Sequence, residues 1–208
     1  KITLSNLRRF LMTDSAQYTD EMVMFRRSFH SHPETGWTEF RTTSVIVNRL
    51  KELGLTVLQG TRVINPDFVM GRYPDEVEAG KTRALSEGVS QADIDATEGY
   101  TGAVAVFDTG RPGPVSAFRF DIDALYVPET TDPSHLPNKL GFASRHPGLM
   151  HACGHDCHTA EGLALAHWLV DHKSDLCGTI KLLFQPAEEG TRGALAMSES
   201  GVLDDVEN

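Results

Sequence analysis

The sequence predicts an α/β fold, a layered mixed sheet flanked by helices, on two observations. Stretches in which apolar residues recur every three or four positions alternate with short runs rich in Val, Ile, Leu and Phe, the pattern of helices covering a sheet. Residues able to bind metal or move protons gather at the ends of the expected strands, where sheets of this class hold ligands.

Composition sets the outer bounds. The chain has 208 residues, 40% hydrophobic and 23% charged, enough to bury a core in one large domain or two small ones. A net charge of -10 and a pI near 5.3 argue against nucleic acid and anionic membranes as partners, since both need a basic face. Small molecules or proteins are expected instead. Three cysteines make no disulfide framework, and the odd count suits a reducing compartment, so a cytoplasmic location is expected. The longest apolar stretch, 162–170, falls short of the about 20 residues a bilayer span needs, and no signal-type segment opens the chain. Lys1 is not an initiator methionine, so a preceding segment is expected.

Taken in order, Tyr18, Met22, Phe25 and Phe29 recur at helical spacing over 15–32, and Pro33 stops that helix. A second helix is expected from Thr38 as N-cap to Gly54, with Phe40, Val45, Val47, Leu50 and Leu53 as its apolar positions. Residues 55–58 read as a strand. The stretch 74–97 is polar and acidic and reads as one or two solvated helices in an insertion at about 74–98. Residues 102–108 and 115–120 read as two strands joined by a tight Gly/Pro turn. Asp121 and Asp123 follow, two apart in an extended segment and so facing one side. The loop 126–149, with four prolines, reads as irregular. A helix from about 158 to 173, a buried strand over 179–184 and a last helix over 192–200 stopped by Gly201 complete the pattern.

The chemistry concentrates in residues 151–158. Of nine histidines and three cysteines, His151, His155, His158, Cys153 and Cys157 fall in those eight positions. Cys153 and His155, two apart on a glycine-containing loop, can turn toward one ion, and Glu189 just past a strand end can add a hard oxygen. Such a mixed set suits Zn2+ or Mn2+ with a position left open for catalysis. Adjacent side chains do not point at one atom, so Glu188 and Glu189 divide the work: one binds metal and its neighbour serves as general base. Asp121 and Asp123 are candidate supports behind the ligands, or ligands themselves.

Other readings are weaker. A c-type haem attachment needs two residues between its cysteines, and three separate Cys153 from Cys157. A structural zinc knuckle needs a second ligand pair, and Cys177 stands alone. The zinc deaminase signature is absent. Cys157 reads as a packed or incidental thiol, His167 and His172 as surface or packing residues, and His30, His32 and His135 have no partner visible in the sequence.

The stretches Met150 to His158, Phe118 to Leu125 and Gln185 to Gly190 together resemble the amidohydrolase (M20D) branch of the M20 metallopeptidases. Residues 36–42, 108–114, 141–144 and 188–194 extend the resemblance over nearly the whole chain. It implies a zinc-peptidase-like catalytic domain carrying two divalent ions, Mn2+ or Zn2+. The reaction implied is hydrolysis of the amide between an acyl or aroyl group and an amino acid, with p-aminobenzoyl-glutamate, a folate breakdown product, as expected substrate. Carried over, Cys153, His155 and Glu189 are metal ligands and Glu188 the general base, with Asp121, Asp123, His151, Asp156 and His158 in support or as possible ligands. Residues 1–208 then form the N-terminal part of the catalytic domain, with further histidine ligands and a lid and dimerisation domain expected beyond 208. A homodimer, or a hetero-oligomer with a related polypeptide, is the implied assembly. Cys157 departs from the Gly or Ala usual between Asp156 and His158, which bears on metal preference and oxidation. Two further functions stand beside this one: a fragment or partner chain that binds without turnover, and a broader N-acyl-amino-acid hydrolase.

Overall fold

The computed structural model describes residues 15–190 and 192–208; Lys1 and Thr191, the latter inside the 188–194 stretch, lie outside them. Helices α1 (Ser15–Ser31) and α2 (Phe40–Glu52) lead to strand β1 (Thr56–Leu58), then to α3 (Pro74–Ser86) and α4 (Gln91–Ala96). Strands β2 (Ala103–Asp108) and β3 (Val115–Asp121) follow, then α5 (Leu136–Leu140), α6 (His155–Asp171), β4 (Thr179–Gln185) and α7 (Gly193–Met197). Among the described residues no helix is long and apolar enough to cross a membrane.

The four strands form one mixed sheet in the order β1-β2-β4-β3, with β2 antiparallel to β1 and β4, and β3 parallel to β4. The α/β class and the helix-flanked mixed sheet are as the sequence predicts. The tight turn is not: β2 and β3 are not neighbours, because β4 lies between them. Residues 109–114 instead arch over the start of β4, where Thr109 donates to the Gly178 carbonyl at 3.2 Å and Thr179 to that of Pro114 at 3.1 Å. Gly178 is obligatory at this crossing, since a Cβ there would lie 2.2 Å from the Pro114 oxygen and its φ is 80°. Burial explains why β4 takes the centre. It is buried at every position after Thr179, whereas β3 is largely half-buried or exposed, and a strand apolar on both faces belongs inside a sheet.

Alternation along β4 builds two cores. Ile180, Leu182 and Phe184 meet Phe29 of α1, Ile46 and Leu50 of α2, and Leu163 and Leu169 of α6. Leu183 faces the other side, with Val104, Trp37, Met197 and Val202. Each such buried side chain contributes about 1.5–3 kcal/mol.

Several ends differ from expectation. Thr38 does not cap α2; its hydroxyl turns back to the Thr35 carbonyl, and Glu39 occupies the cap position without a side-chain bond. The buried carboxylate of Glu34 reaches in instead and accepts the N–H of Arg41 at 3.1 Å and Thr42 at 2.7 Å. The acidic segment is not merely solvated, because Val77, Ala84 and Ile94 of α3 and α4 bury against Phe40. The proline-rich loop carries α5, with Pro137 in its first turn, where proline is tolerated. Finally, α6 begins at His155 rather than near His158.

Candidate metal centre

The site forms where β3, β4 and the start of α6 end together. Beyond Asp121 the chain stays fastened to β4, for Ile122 donates to the Gln185 carbonyl at 3.1 Å. This sets Asp121 and Asp123 beside the turn that follows β4.

Three consecutive N–H groups of that turn are held by buried carboxylates. Ala187 donates to Glu39 at 2.8 Å, Glu188 to Asp123 Oδ1 at 3.1 Å, and Glu189 to Asp123 Oδ2 at 3.0 Å. The second oxygen of Glu39 accepts the Thr101 hydroxyl at 2.6 Å. Ala187 has φ 50°, a left-handed conformation costly for a side-chain-bearing residue, and its carbonyl is tied to the Arg192 and Gly193 amides. Burial, and then the nearby Asp123 charge, push Glu39 up to about 8.

On the facing side, Gly154 has φ 78° and lets the chain enter α6. Cys153 precedes it, and His155 opens the helix. Nδ1 of His155 lies 2.9 Å from the Asp123 carbonyl and 3.3 Å from its carboxylate, so that nitrogen carries the proton and Nε2 keeps the lone pair. Burial opposes the charged ring, but the Asp123 contacts outweigh it and raise the pKa of His155.

Ligand atoms of Cys153, His155 and Glu189 all lie within 4.8 Å of one another, and Glu188 Oε2 is 3.8 Å from His155 Nε2. Glu189 Oε1 is buried without a hydrogen-bond partner. The thiol of Cys153 is pushed up to about 11 by its hydrogen bond to Glu189, then by burial and the carboxylates around it. Sulfur, imidazole nitrogen and carboxylate oxygen together could hold a borderline divalent ion. A second group, Asp121, His155 and His158, meets the same 4.8 Å limit.

His151 and Asp156 join neither group. Asp156 turns away, accepting from Arg26 Nε and His30 Nδ1, both at 2.8 Å. His30 Nε2 faces Glu129 at 2.9 Å, as does His135. His151 is buried with neither ring nitrogen bonded, and burial pushes it down to about 4. Cys157 is half-buried beside Phe142, and His167 bonds Glu21 at 2.7 Å. Sequence reasoning missed Glu39, Glu129 and the partners of His30. Glu39 lies within the 36–42 stretch, but its partner Ala187 is 148 residues away, beyond any local spacing.

Residues 117–208 match the model of Peptidase family M20/M25/M40. A p-aminobenzoyl-glutamate hydrolase polypeptide of Escherichia coli is 53% identical over 88% of this chain and 42% of its own. Among solved structures, an aminobenzoyl-glutamate utilization protein from Klebsiella pneumoniae superposes with TM-score 0.75 at 42% identity, covering 92% of this chain and 43% of that one. A dinuclear metal binding peptidase of the M20 family from Bacillus subtilis follows at TM-score 0.68 and 32% identity, over 92% and 42%. The chain spans less than half the length of these relatives. By the family match over its C-terminal part and by relatives of this identity over nine-tenths of its length, the chain belongs to peptidase family M20/M25/M40.

Proposed function

We propose that this chain is the N-terminal part of the catalytic domain of a metal-dependent amidohydrolase, which cleaves p-aminobenzoyl-glutamate or a related N-acyl or aroyl amino acid. One observation carries the reading: Cys153, His155 and Glu189 bring three ligand atoms within 4.8 Å of one another, beside Glu188. In this reading those three residues hold divalent metal, two ions per complete site, Mn2+ or Zn2+, with the remaining ligands and a lid beyond residue 208. The unpartnered Glu189 oxygen and the tautomer fixed on His155 support the fit.

A bound ion supplies Lewis acidity, drawing the pKa of water from about 15.7 toward about 7. Glu188 then takes the proton at its carboxylate and hands it to the departing amine. Asp123 holds the backbone under Glu188 and Glu189 while keeping His155 Nε2 available, and Glu39 fixes Ala187 so that the adjacent acids diverge. Asp121, His158, His151 and Asp156 support the loop and helix start. The relatives' names favour a hydrolase over a chain that binds without turnover, and the Escherichia coli relative, one component of a larger hydrolase by its name, supports assembly with a second polypeptide or copy. Three unpaired cysteines suit a cytoplasmic location.

The test is Glu188→Gln in the full-length protein. Metal content should stay at the wild-type level while hydrolysis of p-aminobenzoyl-glutamate falls by about 10²–10⁴. Undiminished hydrolysis would remove Glu188 from the base role.

A further inference from the structure

We propose that Asp121, His155 and His158 form a second cation position, for one borderline divalent ion, that competes with Cys153 and Glu189 for the single free nitrogen of His155. The proposal rests on the reading of Cys153, His155 and Glu189 as metal ligands.

Both groups of ligand atoms contain His155. Because α6 starts at His155, His158 lies one turn further along the same face, and the two rings stack at 5.3 Å with their planes 25° apart. Asp121, at the end of β3, turns its carboxylate to them, with Oδ2 3.6 Å from His158 Nδ1. Its side chain is 7% exposed, and Oδ1 is buried without a hydrogen bond, an oxygen in need of a partner. Two imidazoles and one carboxylate on one side leave open positions and suit Fe2+, Co2+, Mn2+ or Zn2+. His158 is 46% exposed, so the position opens to solvent.

Competition follows from the tautomer. Nδ1 of His155 is committed to the Asp123 carbonyl, and an imidazole nitrogen, unlike a carboxylate, has one lone pair and does not bridge two ions. An ion held by Asp121 and His158 therefore leaves Cys153 and Glu189 without their nitrogen. Softness divides the ions: thiophilic ones settle on the sulfur side, and harder ones such as Mn2+ on the nitrogen and oxygen side. Arg119 opposes the second position, with Nη2 and Nε each 3.3 Å from an Asp121 oxygen, but it is 53% exposed and free to swing out.

The test titrates Co2+ into the full-length protein, following the thiolate-to-cobalt charge-transfer band together with calorimetric binding. Cys153→Ser should abolish that band yet still bind cobalt. Adding His158→Ala should weaken the remaining binding at least about tenfold, and adding Arg119→Gln instead should tighten it. Both His158 and Cys153 are solvent-facing, and circular dichroism checks that the variants fold. The proposal is overturned if Cys153→Ser binds no cobalt, or if its binding ignores His158→Ala. Absence of the charge-transfer band in the wild type would instead refute Cys153 as a ligand, and the His158 arm would still decide this position.

Discussion

Asp123 accepts the backbone N–H of Glu189 at 3.0 Å on one carboxylate oxygen while its other oxygen accepts that of Glu188 at 3.1 Å. A single buried side chain thereby sets the main chain beneath both acids and orients His155. Asp123→Asn keeps the size but faces one of those amides with an NH₂ group, so one hydrogen bond becomes a donor–donor clash. Metal affinity should fall about 10–100-fold, as for other residues that orient ligands from behind. Calorimetric titration with Zn2+ checks this; an unchanged dissociation constant would mean that the turn holds its shape unaided.

Glu39 does the same for Ala187, whose φ of 50° keeps the chain in a costly conformation. Glu39→Ala leaves a buried N–H without an acceptor and should destabilise the native state by about 1–3 kcal/mol. Turnover should drop further than stability accounts for, by up to about 10²-fold, because a displacement of about 1 Å moves Glu188 off its target. Glu39→Gln retains an acceptor for Ala187 and should recover most of both. Denaturant unfolding beside steady-state kinetics separates the two effects, and equal losses in Ala and Gln variants would show that the charge, not the hydrogen bond, matters.

What the sequence made legible was local. Tyr18 to Phe29 and Phe40 to Leu53 announce helices because one apolar face repeats within the element. Cys153 and His155 lie two apart, so their shared site could be read directly. Strand order could not, because it depends on β4 being buried on both faces, which only the packed molecule decides. The cap of α2 escaped for a similar reason: Thr38 has the right side chain in the right place, but Glu34 approaches from outside the helix with a stronger acceptor. Likewise His30 meets Asp156 across 126 residues, a pairing with no trace in spacing.

That last pairing makes stability depend on pH. His30 is buried between Asp156 and Glu129, each accepting from one ring nitrogen at 2.8 and 2.9 Å, an arrangement satisfied only by the doubly protonated ring. Burial disfavours the cation and Arg26 repels it, but the two carboxylates prevail and raise its pKa above 6.5; the buried His151 nearby stays neutral. A histidine whose folded pKa is raised stabilises fully below its unfolded value and loses that contribution as pH climbs through the folded one. The wild type should therefore lose stability relative to His30→Gln between about pH 6.5 and 8.5. Urea melts across that range measure the difference, and parallel curves would show that His30 is already neutral.

Gly154 offers the sharpest separation of strain from crowding. Its φ is 78°, yet a Cβ built there would meet nothing within 4 Å, so a larger residue suffers only the backbone cost. That cost is about 1–2 kcal/mol for alanine in the left-handed region, and less for asparagine, which visits it more readily. If the chain pays it by keeping the turn, Gly154→Ala loses stability while metal affinity is preserved. Relaxing toward negative φ would instead swing Cys153 away from His155 and Glu189, and affinity would fall with little loss of stability. The left-handed turn lies between two ligand candidates and is fixed at His155 by Asp123, so the first outcome is expected. Gly154→Asn should fall between Gly154→Ala and the wild type. Thermal melts and Zn2+ titration on the three proteins decide, and a Gly154→Ala protein matching the wild type in both would show that the turn is not needed.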